Sequence, residues 1–412
     1  MNFLRRAIFE RMTGIHEKPP FVYGKTKIPL QVVGYGSEEV LETLDSLMSG
    51  WMTMGAKVKR FEQMWADYCG VKYAIMTNSG SSANLLAIMA LRTKGYYRPD
   101  TEIITPALTW ATTVFPIAQA GYVPVLVDVD RNTMNIDPKA VEAAITPKTT
   151  AIMPVHLLGN PCDMLALQNI AREHGLAIIE DACEAHGAEY QGQKVGSFGH
   201  FSTFSFFFSH HISTIEGGMV LTNTDFKSEM LRSFRAFGWA REVNGNHSKD
   251  YPDIDPRFLF LYPGYNFRPT EMQGAFGIHQ VPKLEGYIAA RQANAYYWNE
   301  HLPQKWLQMP TEEPGTRHAW FAYPFVVKEG APFTAKDLMR YLEECGVETR
   351  PIEAGDLSLQ PAMKHIQHRV ASNTNARFLH HHGFFIGNNQ AIGAQEREAV
   401  VGYVEDFMRN IA

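Results

Sequence analysis

Between residues 71 and 181, short apolar runs alternate with segments in which apolar residues recur at helical spacing. The apolar runs predict five strands, at residues 73–77, 101–105, 123–128, 151–155 and 176–181. Residues 82–91 predict a helix after the first strand, and Asp163 and Gly175 mark the start and end of another. Because strands that alternate with helices form a mostly parallel sheet covered on both faces, we predict an α/β fold.

The last third of the chain has a different pattern. The segments predicted in it are a long helix at 270–301, a strand at 320–327, and helices at 335–345 and 396–408. A chain of 412 residues is also too long for one hydrophobic core. We therefore predict a large domain at residues 1–280, which includes an N-terminal arm, and a smaller α+β domain at residues 281–412.

Charge and hydropathy exclude several classes of partner. A net charge of -5 offers no electrostatic footprint for nucleic acid or for an anionic membrane surface. No apolar run approaches the roughly 18 residues that span a bilayer, and the basic N-terminus lacks the continuous apolar region of a signal peptide. We expect neither a nucleic-acid partner nor a membrane partner, and we expect the protein to be cytoplasmic.

The cysteines and histidines do not form a metal-binding pattern. The cysteines are scattered, at Cys69, Cys162, Cys183 and Cys345, without a C-x-x-C or C-x-C pair. Neither a zinc site nor an iron–sulfur cluster is therefore expected. The histidine run at residues 380–382 has no nearby carboxylate in a ligand pattern, so we interpret it as surface or packing residues and predict no metal site.

Polar residues stand where predicted strands end, and ligands of parallel sheets bind at that edge. Gly80 and Ser81 begin a helix after a strand, which suits a phosphate but is also a commonplace turn. Asp181 ends another strand, either as a helix cap or as a ligand-binding carboxylate. Trp110 follows a third strand, either as a core residue or as a flat surface for a ring to stack on.

The stretch at residues 205–218 reads Ser-Phe-Phe-Phe-Ser-His-His-Ile-Ser-Thr-Ile-Glu-Gly-Gly. It contains no lysine, and none occurs between Lys194 and Lys227. Its His210 cannot condense with an aldehyde as an amine does, but an imidazole carries protons well near neutral pH. This stretch therefore offers proton transfer rather than Schiff-base chemistry.

These segments together resemble the DegT/DnrJ/EryC1/StrS family of pyridoxal-phosphate sugar aminotransferases. The stretch at 205–218 resembles the family's cofactor segment, Ser-Phe-x-x-Ser/Thr-Lys-Asn followed by Glu-Gly-Gly or Asp-Gly-Gly, in which the lysine holds the cofactor as a Schiff base. Residues 180–187 resemble Glu-Asp-x-Ala-x-Ala-x-Gly, and residues 78–84 resemble the phosphate loop. The resemblance runs from about Ile28 to Arg350 and implies a fold-type-I, aspartate-aminotransferase-like architecture.

The resemblance also implies a cofactor, pyridoxal 5'-phosphate or pyridoxamine 5'-phosphate, and the residues that hold it. These are Gly80, Ser81 and Ser205 at the phosphate, Asp181 at the ring nitrogen, Glu184 at the ring hydroxyl, and Trp110 over the ring. Glu184 departs from the glutamine that the family usually has there. Asn266 resembles an asparagine that reaches the phosphate of the neighbouring subunit, which implies a homodimer with shared active sites. Residues 262–268, His318 and Arg350 are candidates for substrate contact.

His210 occupies the position of the family's lysine, and this exchange resembles the branch of sugar 3-dehydratases. The resemblance implies that His210 is the catalytic base and that glutamate is the amino donor. The implied substrate is a nucleotide-linked 4-keto-6-deoxyhexose, with GDP-4-keto-6-deoxymannose as the first candidate, and the implied pathway makes deoxysugars for O-antigens. The scattered cysteines depart from the 3-dehydratases that carry a 2Fe–2S cluster and need a reductase.

Two alternatives stay open. One is a nucleotide-sugar aminotransferase that uses a lysine from elsewhere in the chain, or none. The other is a catalytically inactive regulator that still binds the cofactor, although the presence of Asp181, Ser205 and Trp110 argues against such a loss of function.

Overall fold

A computed structural model of the chain describes residues 2–17, 20–92 and 100–411. Its helices are α1 (Asn2–His16), α2 (Ser37–Ser49), α3 (Ala56–Cys69), α4 (Gly80–Leu91), α5 (Ala111–Gln119), α6 (Pro138–Ala144), α7 (Met164–His174), α8 (Asp225–Arg235), α9 (Glu271–Gln280), α10 (Leu284–His301), α11 (Ala335–Glu344), α12 (Thr374–His382) and α13 (Ala394–Ile411). Its strands are β1 (Tyr73–Thr77), β2 (Glu102–Pro106), β3 (Val123–Val127), β4 (Thr149–Ile152), β5 (Ala177–Asp181), β6 (Glu189–Tyr190), β7 (Gln193–Lys194), β8 (Phe201–Ser205), β9 (Gly218–Thr222), β10 (Leu307–Gln308), β11 (Thr316–Arg317), β12 (Ala322–Val327), β13 (Thr349–Pro351), β14 (Arg369–Val370) and β15 (Gly383–Gly387). Within these described residues, none of the helices has an apolar stretch long enough to cross a bilayer.

The core of the molecule is an eight-stranded sheet with the order β1-β9-β8-β5-β4-β2-β3-β14. Strand β9 is antiparallel to both of its neighbours, and the other pairs in this sheet are parallel. Strands β2 and β5 are buried along their whole length, as expected for a sheet that helices cover on both faces. The prediction of an α/β fold with a mostly parallel sheet is confirmed.

Local signals in the sequence mark helix α7 correctly. The side chain of Asp163 accepts a hydrogen bond of 3.0 Å from the backbone N–H of Ala166. Gly175 follows the helix in the left-handed conformation, with φ of 66°. Both ends therefore lie where the sequence predicts them.

The prediction of one continuous helix at residues 270–301 is wrong. The chain forms α9 and α10 instead, with a short 3₁₀ turn at Val281–Lys283 between them. Pro282 lies in this turn, and a proline inside an α-helix removes a backbone donor and collides with the preceding turn. The apolar spacing on both sides of Pro282 is helical, which is why periodicity alone joins the two segments.

A second, antiparallel sheet has the order β10-β12-β15-β13. Side chains of this sheet and of α10, α11 and α13 form one hydrophobic cluster around the buried Trp298, Tyr323 and Phe384. Strand β14, although late in the chain, pairs with β3 at the edge of the central sheet. The C-terminal part of the chain therefore contributes strands to both sheets.

A buried carboxylate joins β5 to the segment that leads into β8. Glu180 is completely buried. Its oxygens accept hydrogen bonds from the backbone of Gly196 (2.7 Å), Phe198 (2.8 Å) and Gly199 (2.6 Å), from the hydroxyl of Ser202 (2.8 Å), and lie 3.2 Å from Nε2 of His156. Burial by itself raises the pKa of Glu180, but the hydrogen bond from His156 and those from the backbone outweigh it, so the pKa lies below its ordinary value. The hydrogen bonds of Glu180 thus fix strand β5, which ends at Asp181, against the segment that leads into β8.

We expect the substitution Glu180→Gln to lower the free energy of unfolding by about 3 kcal/mol, because it breaks a buried and fully hydrogen-bonded group. Urea denaturation at pH 7 measures this loss, and Glu173→Gln on the exposed side of α7 is the matched control. A carboxylate with a lowered pKa stabilises the folded state above its unfolded-state pKa and stops doing so as the pH falls. The difference between wild type and Glu180→Gln should therefore shrink at acid pH; equal stabilities at pH 7 would contradict this account.

Candidate active site

A cavity of about 510 Å³ lies at the carboxyl ends of the central strands, where the second sheet folds over them. Residues that follow β1, β2, β5 and β8 form one wall, and residues of the second sheet form the other. All the predicted site residues except Asn266 line it, namely Gly80, Ser81, Trp110, Asp181, Glu184, Ser205 and His210. Open α/β sheets bind ligands at this edge, so the cavity is the candidate active site.

The start of α4 forms one end of the cavity. Ser79 caps the helix, and its hydroxyl accepts a hydrogen bond of 3.1 Å from the backbone N–H of Ser82. A Cβ added at Gly80 would come within 2.6 Å of the Cβ of Ser205, so only glycine lets α4 start this close to the end of β8. Backbone N–H groups at a helix start attract an anion. Ser81 and Ser205 line the cavity beside these N–H groups.

Asp181 lies deeper in the same cavity and is 4% exposed. One of its oxygens accepts hydrogen bonds of 2.9 Å from the side chains of Asn84 and Thr113, and the other accepts one of 3.2 Å from the backbone of Cys183. The chain after Asp181 forms a turn rather than a helix, so the helix-cap alternative is wrong. The hydrogen bonds fix the orientation of this carboxylate, which suits contact with a ligand.

Trp110 lies at the mouth of the cavity, immediately before α5. Its side chain is 57% exposed, so the alternative of a core tryptophan is wrong. An indole in this position offers a flat apolar surface to any ring that enters the cavity.

His210 lies on the loop between β8 and β9. Its backbone N–H donates a hydrogen bond of 3.0 Å to the carbonyl of Phe207, and its ring centroid is 5.3 Å from that of Phe321. The ring atom Nδ1 has no hydrogen-bond partner among the described residues. Burial lowers the pKa of His210 to about 4, and the positive charge of the nearby Arg291 adds to the effect. The imidazole is therefore neutral at pH 7 and can accept a proton.

Two carboxyl groups face the cavity side by side. Glu184 accepts a hydrogen bond of 2.7 Å from the backbone N–H of Leu158, and its carboxyl lies within hydrogen-bonding reach of Glu353. Burial raises the pKa of Glu184 well above its ordinary value, and the charge of Glu353 raises it further. Burial also raises the pKa of Glu353. One proton is thus held by this pair at a pH where single carboxyls are ionised.

Among the described residues that line the cavity, none is a lysine. A Schiff base to the protein needs an amine within reach of the aldehyde. His210 lines the cavity, and it occupies the position at which the family motif has its lysine. Lys18 and Lys94 lie outside the described residues.

Asn266 lies on the loop before α9, is exposed and does not line this cavity. Its side-chain oxygen accepts a hydrogen bond of 3.0 Å from Nε of Arg268. The chain's own cavity therefore does not contain it.

The second sheet supplies cavity residues that the sequence analysis missed, among them Glu353, Phe321 and Phe385. Their segments carry no motif, and their position depends on how the second sheet folds over the first. Arg350, a predicted candidate for substrate contact, does line the cavity. His318 does not line it; its ring is buried and accepts a hydrogen bond of 2.8 Å from the backbone of Trp320.

Known proteins are similar to this chain over most of its length. The model of the DegT/DnrJ/EryC1/StrS aminotransferase family matches residues 35–405. The GDP-4-keto-6-deoxy-D-mannose 3-dehydratase of Yersinia pseudotuberculosis is 41% identical over 353 residues, which are 83% of this chain and 89% of that protein. The lipopolysaccharide biosynthesis protein RfbH of Salmonella typhimurium is 34% identical over 409 residues, 94% of this chain and 93% of that protein.

A solved structure is similar over most of the fold. The crystal structure of a GDP-4-keto-6-deoxymannose-3-dehydratase with a trapped PLP-glutamate geminal diamine superposes with a TM-score of 0.85 at 36% identity. The match covers 90% of this chain and 99% of that one.

We expect the ring of His210 to titrate with a midpoint near pH 4, rather than near the ordinary value of about 6.5, because its burial disfavours the charged form. Nitrogen NMR of protein labelled in its histidines measures the midpoint, and the spectrum of His210→Asn identifies the resonance. A midpoint above pH 6 would mean that the ring is solvated and not set up as a neutral base.

Proposed function

We propose that this chain, which belongs to the DegT/DnrJ/EryC1/StrS aminotransferase family, is a pyridoxal-phosphate-dependent sugar 3-dehydratase. Its substrate is a nucleotide-linked 4-keto-6-deoxyhexose. The Yersinia relative is a GDP-4-keto-6-deoxy-D-mannose 3-dehydratase, so GDP-4-keto-6-deoxymannose is the substrate that we propose. One observation carries the proposal: the cavity presents a neutral His210, and its described wall contains no lysine.

The cavity fits the cofactor at three points. The start of α4 with Gly80 and Ser81, together with Ser205, suits the phosphate, because helix N–H groups and hydroxyls meet there. Asp181 is fixed by three hydrogen bonds and can keep a proton on the ring nitrogen. Trp110 presents an exposed indole for stacking. When bound, pyridoxal phosphate supplies an aromatic ring that stores electrons while its nitrogen is protonated.

Three residues of the cavity then have separate roles. His210 takes a proton from carbon and can return it to the departing hydroxyl oxygen, because a neutral imidazole accepts a proton and its conjugate acid donates one. Asp181 keeps the ring nitrogen protonated. Arg350 at the exposed side of the cavity offers a cation to an anionic reactant. Because the described wall of the cavity contains no lysine, no amine of that wall competes for the cofactor aldehyde.

The amino donor that we propose is glutamate, because the similar solved structure holds a PLP-glutamate species. Glutamate is oxidised to 2-oxoglutarate and supplies the two electrons that deoxygenation of the sugar needs, and the sugar hydroxyl leaves as water. The nitrogen that enters from glutamate leaves as ammonia when the deoxygenated sugar is released by hydrolysis. The similarity to a lipopolysaccharide biosynthesis protein supports a place in deoxysugar production for surface polysaccharides.

A product assay tests this function directly. Purified protein is incubated with pyridoxal phosphate, glutamate and GDP-4-keto-6-deoxymannose, and mass spectrometry follows the sugar while a coupled assay follows ammonia. We expect a sugar that has lost one oxygen, together with ammonia above a control without sugar. An intact amino sugar would instead establish the aminotransferase alternative, and cofactor binding without turnover of any nucleotide sugar would favour the inactive regulator.

His210 variants test the base in the same assay. We expect His210→Asn to lower kcat by about 10²- to 10⁴-fold, the usual contribution of a positioned general base. His365→Asn, at an exposed position, is the matched control. Full dehydratase activity in His210→Lys would contradict the proposed role, because an amine would then serve equally well.

We also propose that the protein is a homodimer in which Asn266 completes the partner's site. Asn266 is exposed and lies outside the cavity of its own chain. Large apolar side chains are exposed on the N-terminal helices, with Phe3 at 86% and Met48 at 75%, and such surfaces are typical of interaction sites. A symmetric pair would cover these surfaces and exchange the Asn266 loops.

Mixed dimers of His210→Asn and Asn266→Ala test whether each active site contains residues of both subunits. If Asn266 acts in the partner's cavity, each hybrid dimer has one complete site and one doubly defective site. A random one-to-one mixture should then regain about a quarter of the wild-type activity, because half of its dimers are hybrids. Differently tagged subunits allow the hybrid to be purified. A purified hybrid no more active than its parents, or a monomer on size-exclusion chromatography, would contradict the shared site.

A further inference from the structure

Glu353 reaches the cavity from the segment after β13, whereas Glu184 comes from the turn after β5. The two segments are far apart in sequence, yet the carboxyl groups lie within hydrogen-bonding reach of each other. Glu353 has a left-handed backbone with φ of 47°, which is unusual for a residue other than glycine. Nothing in the proposed chemistry of His210 and Asp181 requires such a contact.

Two carboxyl groups in contact inside a protein cannot both be ionised without strong repulsion, whereas one proton between them makes a hydrogen bond. The ion pairs found within the described residues include none between a basic side chain and Glu184 or Glu353. One oxygen of Glu184 is already occupied by the backbone N–H of Leu158. The contact therefore fits a pair that holds one proton and carries one negative charge.

We propose that Glu353 is a positioning residue that keeps a proton on Glu184, so that the pair offers a hydrogen-bond donor to the ring hydroxyl oxygen of the bound cofactor at neutral pH. The inference rests on the proposed function, since the donor needs the cofactor as its acceptor. The family usually has glutamine at the position of Glu184. A protonated carboxyl and an amide can both donate a hydrogen bond, which gives a physical reason for a glutamate there.

The other charged and titratable groups of the cavity are compatible with this arrangement. Asp181 lies close enough to both glutamates to raise the pKa of each, so it too favours the protonated pair. His210 is neutral at pH 7 and does not compensate the charge of the pair. The remaining groups on the cavity wall are the thiol of Cys183, the carboxylate of Glu216 and the guanidinium of Arg350. The burial that raises the pKa of Glu184 keeps its proton in place as the pH rises towards neutrality.

The test measures cofactor binding rather than turnover. The Kd of pyridoxal phosphate is determined from the quenching of tryptophan fluorescence between pH 6 and pH 9. In Glu353→Gln the amide can donate to Glu184 and stabilise its ionised form, so the donor is lost and the Kd at pH 7 should rise about tenfold. Glu184→Gln carries a permanent donor, so its Kd should stay close to that of wild type and should not rise at high pH as the wild-type Kd does.

The double variant Glu184→Gln/Glu353→Gln distinguishes a proton-holding role from a structural one. If Glu353 acts by keeping Glu184 protonated, the amide at position 184 makes it dispensable, and the double variant should bind within about threefold of wild type. Binding as weak as in Glu353→Gln alone would overturn the proposal. Glu329→Gln, in an exposed ion pair with Arg131, is the control and should match wild type.

An infrared measurement on the cofactor-free protein tests the shared proton separately. At pH 7 the band of neutral carboxyl groups in wild type should include a contribution that the double variant lacks. Glu312, whose pKa is also raised by burial, is present in both proteins and cancels in their difference spectrum. The absence of that contribution in wild type would overturn the inference even if the single variants fold poorly. Failure of wild type to bind pyridoxal phosphate at any pH would instead count against the proposed function.

Discussion

The close approach of the start of α4 to the end of β8 and the start of β9 is the constraint on which the site depends. Ser205 pairs with Gly218, and Gly218 also pairs with Thr77, so both ends of the stretch at 205–218 lie beside the turn that begins α4. A side chain at Gly80 would collide with Ser205, and one at Gly218 would collide with the backbone of Ser79. The two glycines therefore bring the helix start and the His210 loop to one cavity.

Electrostatics inside this cavity follow from burial. His210 loses solvent and stays neutral, and the two glutamates lose solvent and share a proton. Asp181 is surrounded by donors instead. The same desolvation thus favours a neutral base and a neutral carboxyl donor, while three hydrogen bonds fix the orientation of the aspartate that the proposed function assigns to the ring nitrogen. An enzyme that removes and returns protons at neutral pH needs such differences between its groups.

The replacement of lysine by histidine changes what the family's fold can do. A lysine would hold the cofactor covalently, because its amine condenses with the cofactor aldehyde. His210 occupies the position between Ser209 and His211 where that amine is expected, and packs against Phe321 from the second sheet. Non-covalent retention then depends on the phosphate end, on Asp181 and on Trp110, which are the residues that the proposed function assigns to binding.

Short-range patterns in the sequence determined β1 to β5 of the eight strands in the central sheet, the ends of α7 and the strand-end positions of Gly80 and Asp181, because alternating apolar runs and capping residues act over a few residues. Strands β8, β9 and β14 were not predicted, and Ser205 was found only through the resemblance to the family. The break at Pro282 between α9 and α10 also has a local cause, which apolar periodicity alone overlooks. Tertiary structure alone decided the arrival of β14 at the central sheet and the contact of Glu353 with Glu184. These features depend on packing between segments far apart in the chain, which leaves no local pattern. The protonation of His210 also belongs to that second group, because burial by the folded chain, and not the identity of the residue, sets its pKa.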